Sequence, residues 1–179
     1  TEVIVVTGGP HAGDFVRVLK NGKELGLKHL EYAYQEHEGG IAQALGLCED
    51  FADGGDIAVI LGDNTTDASI AEAVRSFREG AMVFLRQVPD PERFGVPVFD
   101  PADPRRIIAI EEKPAQPKSD LASMGVYIFR WDVLKEFLIQ DHQNEQSDHD
   151  FGKNVIPKLL ANNCSIWAYP FSGYWRDVG

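Results

Sequence analysis

Asp63 closes the run Asp56-Ile57-Ala58-Val59-Ile60-Leu61-Gly62-Asp63-Asn64, almost uninterrupted apolar residues that stop at a glycine and a carboxylate. A run of that length, bounded by turn residues, suits an interior strand covered on both faces. Ligands gather at the carboxyl ends of strands in open α/β sheets, so Asp63 stands where a metal ion or a phosphate chain would be met. Gly62 beside it leaves the backbone free for close approach. The same carboxylate would equally cap the turn or helix that follows.

Four other clusters carry usable chemistry. Gln35 to Ala44 joins a strand to a helix through Gly39 and Gly40, so free backbone N–H groups and the Gln35 amide could meet a flat polar ligand such as a nucleobase; an ordinary strand-to-helix turn needs the same residues. Glu111-Glu112-Lys113-Pro114 ends a strand, and alternation turns one glutamate inward. An inward Lys113 would bind phosphate as a point charge, whereas an outward one makes a surface ion pair of small weight. Ser123, Gly125 and Tyr127 share a strand face, a polar row in which the bare glycine suggests a ligand pressed on the backbone. Trp175 and Asp177 alternate and point the same way, as a sugar-stacking ring beside a metal ligand would, or as a half-buried Trp at a sheet edge.

These side chains need a scaffold, and the sequence supplies an alternating one. Strands are expected over 2–7, 29–35, 56–61 and 81–87, with helices over 14–20, from Ile41 through Cys48, and from Ile70 through Phe77. From residue 93 strands dominate, over 93–99, 105–112, 121–129 and 165–169. Two helices are expected among them, over 133–139 and 151–160, N-capped by Asp132 and Asp150, the second kinked at Pro157. The fold class is α/β: a Rossmann-like, mixed and mainly parallel sheet flanked by helices.

The chain has 179 residues, 44% of them hydrophobic, and a formal net charge of −11. That is enough for one substantial core and one domain, 1–179. The negative charge argues against a nucleic-acid partner, because nothing would neutralise a run of phosphates. Cys48 and Cys164 are too few and too far apart for a disulfide framework or zinc site, and read as core residues of a reducing compartment. No stretch approaches the ~20 apolar residues of a membrane span and no basic flank marks a secretion signal, so a cytoplasmic, membrane-free protein is expected.

In order and spacing these motifs resemble the sugar-1-phosphate nucleotidyltransferases, across essentially the whole chain. Gln35 through Gly46, Leu61-Gly62-Asp63-Asn64 and Phe94-Gly95-Val96 look most like the glucose-1-phosphate thymidylyltransferase branch. Glu112-Lys113-Pro114, Leu121 to Tyr127, His149 to Asn154 and Trp175 to Gly179 look more like the bacterial glucose-1-phosphate adenylyltransferase branch. The resemblance implies transfer of a nucleotidyl group to a sugar 1-phosphate, glucose 1-phosphate foremost, with release of pyrophosphate. It divides the chain into a nucleotide-side half, 1–90, and a sugar-phosphate-side half, 91–179. Asp63 and Asp177 would hold Mg²⁺, and Lys113 would hold the sugar phosphate. Glu112, Ser123, Tyr127 and Asp150 would bind or orient sugar hydroxyls, with Trp175 as a wall and Gly95 as a point of close approach. Gln35 and Gly40 would read the base, with Gly62 beside the nucleotide; this favours dTTP or UTP, with ATP as the alternative.

One departure stands out. The family opens with a strand and a G-x-G-T-R-L loop that holds the triphosphate, and this sequence has no such segment; Gly8-Gly9-Pro10-His11-Ala12-Gly13 lacks the Arg. The expectation is a catalytic domain without its first βα portion and shortened after Asp177, its unpaired strand edge favouring a homo-oligomer. A noncatalytic sugar-phosphate-binding relative would also fit that loss. A metal-dependent glycosyltransferase lacks its Asp-x-Asp here, and a phospho-accepting signalling domain lacks an acidic pair near the first strand.

Overall fold

In the computed structural model, which describes residues 1–144 and 146–179, the chain opens with β1 (Glu2–Gly8), α1 (Ala12–Leu19) and β2 (His29–Gln35). β1 and β2 pair in parallel, Glu2 opposite His29 through Gly8 opposite Gln35. Tyr32 and Leu30 face the same side of β2 that Lys20 and Gly22 close off, and the Tyr32 hydroxyl donates to the Lys20 carbonyl at 2.7 Å. Among the described residues, Gly22 alone of the first 41 is buried.

The helical face expected over Ile41 to Cys48 is split into α2 (Gly40–Gly46) and α3 (Glu49–Ala52), with Ala42, Leu45, Cys48 and Ala52 buried. Then follow β3 (Asp56–Ile60), β4 (Asn64–Thr66), α4 (Ala71–Ser76) and β5 (Ala81–Gln87). The second half supplies β6 (Gly95–Asp100), β7 (Asp103–Glu112), β8 (Leu121–Arg130), α5 (Trp131–His142), α6 (Ile156–Ala161), β9 (Ile166–Pro170) and β10 (Trp175–Asp177). Six strands form the main sheet in the order β3-β8-β5-β9-β7-β6, and β10 pairs with β4 in a small ribbon.

β5 and β8 lie inside this sheet, and alternation divides their side chains between two cores. Val83, Leu85, Tyr127 and Phe129 pack with Leu134, Phe151, Ile156 and Leu159 on the face covered by α5 and α6. Met82, Phe84, Met124, Val126 and Ile128 pack with Ala73, Phe77 and Phe171 on the other. Five consecutive buried residues in β5 are what a strand covered on both faces requires.

Three expectations need correction. The α/β class and the mixed sheet hold, but parallel pairing is confined to β1–β2 and β5–β9 among the described residues; β3–β8, β5–β8, β6–β7 and β7–β9 run antiparallel. Short turns between β6 and β7 force reversal where a helical crossover would have kept direction. β3 is an edge strand, not an interior one, with only β8 beside it and Ile60 53% exposed. Asp132 is not the cap of α5, because that helix starts one residue earlier and Asp132 pairs with Arg130 at 2.6 Å. Asp150 does cap its segment, accepting from the Lys153 N–H at 2.8 Å. That segment opens as a wide π turn, Phe151–Val155, and tightens to α6 where Pro157, without an N–H, occupies the first turn.

Candidate active site

Asp63 follows β3 in the turn to β4, and the β4–β10 ribbon brings the end of the chain onto it. Asn64 lies opposite Asp177, and the Val178 N–H donates to the Asp63 carbonyl at 2.9 Å. A Cβ placed on Gly179 would lie 3.0 Å from Asp63 Oδ2 and 3.4 Å from Asp177 Oδ1, so both carboxylates face one small space. The Gly179 N–H donates to Asp177 Oδ1 at 2.9 Å.

Asn64 fixes this arrangement, a part the sequence did not give it. Its amide donates to Asp63 Oδ1 at 2.8 Å, while its carbonyl oxygen accepts from the Trp175 indole at 2.6 Å. One oxygen of Asp63 is thereby engaged and the other left toward Asp177. The partners Asn64 and Trp175 are 111 positions apart, and no local spacing could have signalled their meeting.

The two acids open onto a cavity of about 220 Å³ whose opposite wall is the sheet face of β7 and β8. Glu112, Lys113, Ser123, Tyr127, Asp150 and Trp175 all line it, as does Gly95. The Glu112 carboxylate sits between two glycines: a Cβ on Gly95 would come within 3.1 Å of Oε2 and one on Gly152 within 3.2 Å. Lys113 adopts φ +45 and stands at the mouth, its side chain 68% exposed and Nζ 4.0 Å from Glu112 Oε1. Neither a buried phosphate ligand nor a closed surface pair describes it; the side chain lines the opening and is largely exposed. Ser123 Oγ and the Tyr127 hydroxyl are 3.4 Å apart. Burial pushes the Tyr127 phenol up, and the hydrogen bond from Ser123 does not offset this; the charges of Glu112, Asp150 and Asp63 add to the rise. Tyr127 is therefore a neutral donor over the ordinary pH range.

The glycines separate into different kinds. Gly125 has φ +70, and a Cβ there would meet Asn64 Nδ2 at 2.9 Å and Leu61 Cδ1 at 3.1 Å. Its bareness serves the break in register against β5 and the seating of Asn64, and the residue also lines the cavity. Gly62 is exposed, and no protein atom crowds the place a Cβ would take.

Gln35 and Gly40 do not join the cavity. The Gln35 amide donates to the Gly40 carbonyl at 3.2 Å and to Gln43 Oε1 at 2.7 Å, and Gln35 lines a separate cavity of about 520 Å³ with Tyr34, Trp131 and Leu138. Gly40, at φ +78, is held against the His149 carbonyl, where a Cβ would come within 2.6 Å. Both cysteines are unpaired thiols, and burial pushes each up.

Among the described residues no helix is long and apolar enough to cross a membrane. A mixed sheet flanked by helices, with carboxylates and hydroxyls converging at its strand ends, is the architecture of the nucleotide-diphospho-sugar transferase fold. The model of the nucleotidyl transferase family matches residues 1–179, and the chain belongs to that family. It is 45% identical over 126 residues to a glucose-1-phosphate adenylyltransferase of Acetivibrio thermocellus, covering 69% of this chain and 30% of the relative. It is 63% identical over 87 residues to one from Desulfitobacterium hafniense, covering 49% of this chain and 21% of the relative. The matched stretch thus spans about a third or less of these curated relatives. Among solved structures, a Bacillus anthracis protein described as a glucose-1-phosphate thymidylyltransferase, in complex with sucrose, superposes with a TM-score of 0.80 at 38% identity, over 97% of this chain and 69% of that one.

Proposed function

We propose that this chain forms the site at which a nucleoside triphosphate and a sugar 1-phosphate, glucose 1-phosphate foremost, exchange to a nucleotide sugar and pyrophosphate. The observation that carries the reading is the convergence of Asp63 and Asp177 on one point at the edge of a cavity lined by hydroxyl-binding groups. A phosphate oxygen of the sugar phosphate attacks the α-phosphorus; a new P–O bond forms there as the α–β bridging bond breaks and pyrophosphate departs. Little covalent chemistry falls to the protein, so positioning and charge neutralisation dominate.

Four carboxylates line this cavity against two cationic side chains, Arg93 and Lys113, so phosphates would be disfavoured there without a further cation. The donor set is hard oxygen, and Asp63 and Asp177 would supply two ligands to Mg²⁺. No group of three or more His, Cys, Asp or Glu suited to a metal occurs among the described residues. With two protein carboxylates as ligands, such an ion would be completed by phosphates and water. Bound there, Mg²⁺ would neutralise charge developing around the α-phosphate. Lys113 would close on the sugar phosphate as a mobile point charge. Glu112 and Asp150 would accept from sugar hydroxyls, Tyr127 and Ser123 would donate or accept beside them, and Trp175 would bound the ring.

For the base, two readings have support. The resemblance of the Gln35–Gly40 loop favours dTTP or UTP, whereas the names of the curated relatives favour ATP. A cytoplasmic setting and a homo-oligomer, with the free edge of β3 as a contact, complete the proposal. Pyrophosphate release from glucose 1-phosphate with dTTP, UTP and ATP in turn tests it. Release with one of them supports the reading and identifies the base; none with any nucleotide favours the noncatalytic sugar-phosphate-binding alternative.

A further inference from the structure

Outside the cavity, one buried carboxylate fastens two loops. Asp141, near the end of α5, is 0% exposed. It accepts from Ser147 Oγ at 2.7 Å, His149 Nδ1 at 2.8 Å and Lys158 Nζ at 2.9 Å. Ser147 Oγ in turn accepts from the His149 backbone N–H at 3.1 Å. His149 is held at φ +53, a left-handed backbone that persists only where surrounding contacts enforce it.

His149 touches both sides of the proposed site. Its carbonyl accepts the Ala42 N–H at 3.3 Å, and Gly40 is pressed against the same carbonyl. The residue after it is Asp150, whose carboxylate lines the cavity. Helix packing alone would be met at position 141 by an apolar side chain, at no cost in buried charge. An anion is needed only where the donors themselves must be held. Burial pushes the Asp141 carboxyl up, but the hydrogen bonds from Ser147, Lys158 and His149 outweigh this and keep it below its ordinary range, so the group is an anion at neutral pH.

We propose that Asp141 is a positioning residue that, through His149, sets the Gly40 turn and the Asp150 carboxylate together. What each loop binds rests on the proposed function; the link between them does not. Asp141→Asn keeps the shape and removes the charge. Leu134→Ala is the control for simple loss of stability, since Leu134 is buried in the same helix but outside the hydrogen-bonded network.

Hydrogen exchange in Asp141→Asn is expected to quicken about tenfold at both the Ala42 and the Lys153 amides, with Val83 unchanged. Calorimetric titration with glucose 1-phosphate is expected to show affinity weakened about tenfold in Asp141→Asn and unchanged in Leu134→Ala. Should Asp141→Asn fail to fold, Ser147→Ala, which removes one donor, is read in the same way. Unchanged exchange at Ala42 and Lys153, or an equal loss of affinity in Leu134→Ala, overturns the proposal. Coupled exchange in a chain that binds no glucose 1-phosphate upholds the positioning link and contradicts the proposed function instead.

Discussion

The β1–α1–β2 unit and the six-stranded sheet come from one chain but are built differently. In α1, Phe15, Val16 and Val18 are 46%, 48% and 69% exposed, and neither core includes a buried side chain from this unit. In β5, Val83 and Phe84 are completely buried, and the neighbouring strands hold Phe129, Met124 and Ile166 at 2% exposure or less. Of the residues proposed to meet the sugar phosphate, the sheet holds Gly95, Glu112, Ser123 and Tyr127, and Lys113, Asp150 and Trp175 stand beside it; the first unit ends at Gln35 and delivers the turn proposed to read the base. The strands proposed to face the sugar thus rest on two packed cores, whereas Gln35 ends a unit held by one parallel pairing, with the Gly40–His149 contact just beyond it.

Substitutions can break that contrast, and the largest effect is expected on chemistry. Asp63→Asn should lower pyrophosphate release by at least about 100-fold while leaving the unfolding midpoint close to that of the unmodified chain. In the sheet, Phe84→Ala should cost about 3–5 kcal/mol in urea unfolding, because a fully buried ring leaves a cavity that neighbours cannot fill. In the first unit, Val18→Ala should change stability by no more than about 0.5 kcal/mol. A loss there comparable to that of Phe84→Ala would erase the distinction between the two regions.

Between these lies a pH effect. The Asp141 carboxyl sits below its ordinary 3.8 when folded, so its stabilising contribution is present above that value and is lost as pH falls through the lower folded one. The difference in stability between the unmodified chain and Asp141→Asn should therefore narrow below pH 3.8, read by chemical denaturation across the acid range.

Local pattern made much of this molecule legible. The strand over 29–35 falls where alternation puts it and the one over 81–87 where an apolar run does; of the face expected from Ile41, Ala44, Leu45 and Cys48, Leu45 and Cys48 are buried, with Ala42 beside them. The row Ser123–Tyr127 was readable as one face, and Trp175 and Asp177 do reach one cavity. Strand neighbours were not readable. β3 carries an interior composition yet lies at an edge, because apolar content reports what a strand can bury and not what pairs with it. Gly125 shows a related limit: a bare backbone looks alike in sequence whether a ligand or Asn64 fills the space beside it. Asn64 and Asp141 act through partners brought together only by tertiary structure, and neither has a sequence signature.

Asp63 and Asp177 acting as one cation site is the centre of this account. Titration of Mn²⁺, a spin-active ion with the same preference for carboxylate and phosphate oxygen, followed by electron paramagnetic resonance in the presence of nucleoside triphosphate, tests it most directly. Asp63→Asn and Asp177→Asn should each weaken protein-bound Mn²⁺ by about tenfold or more, and the double variant should be little worse than either. Tight binding retained in both single variants, or independent and additive losses, would contradict a shared ion.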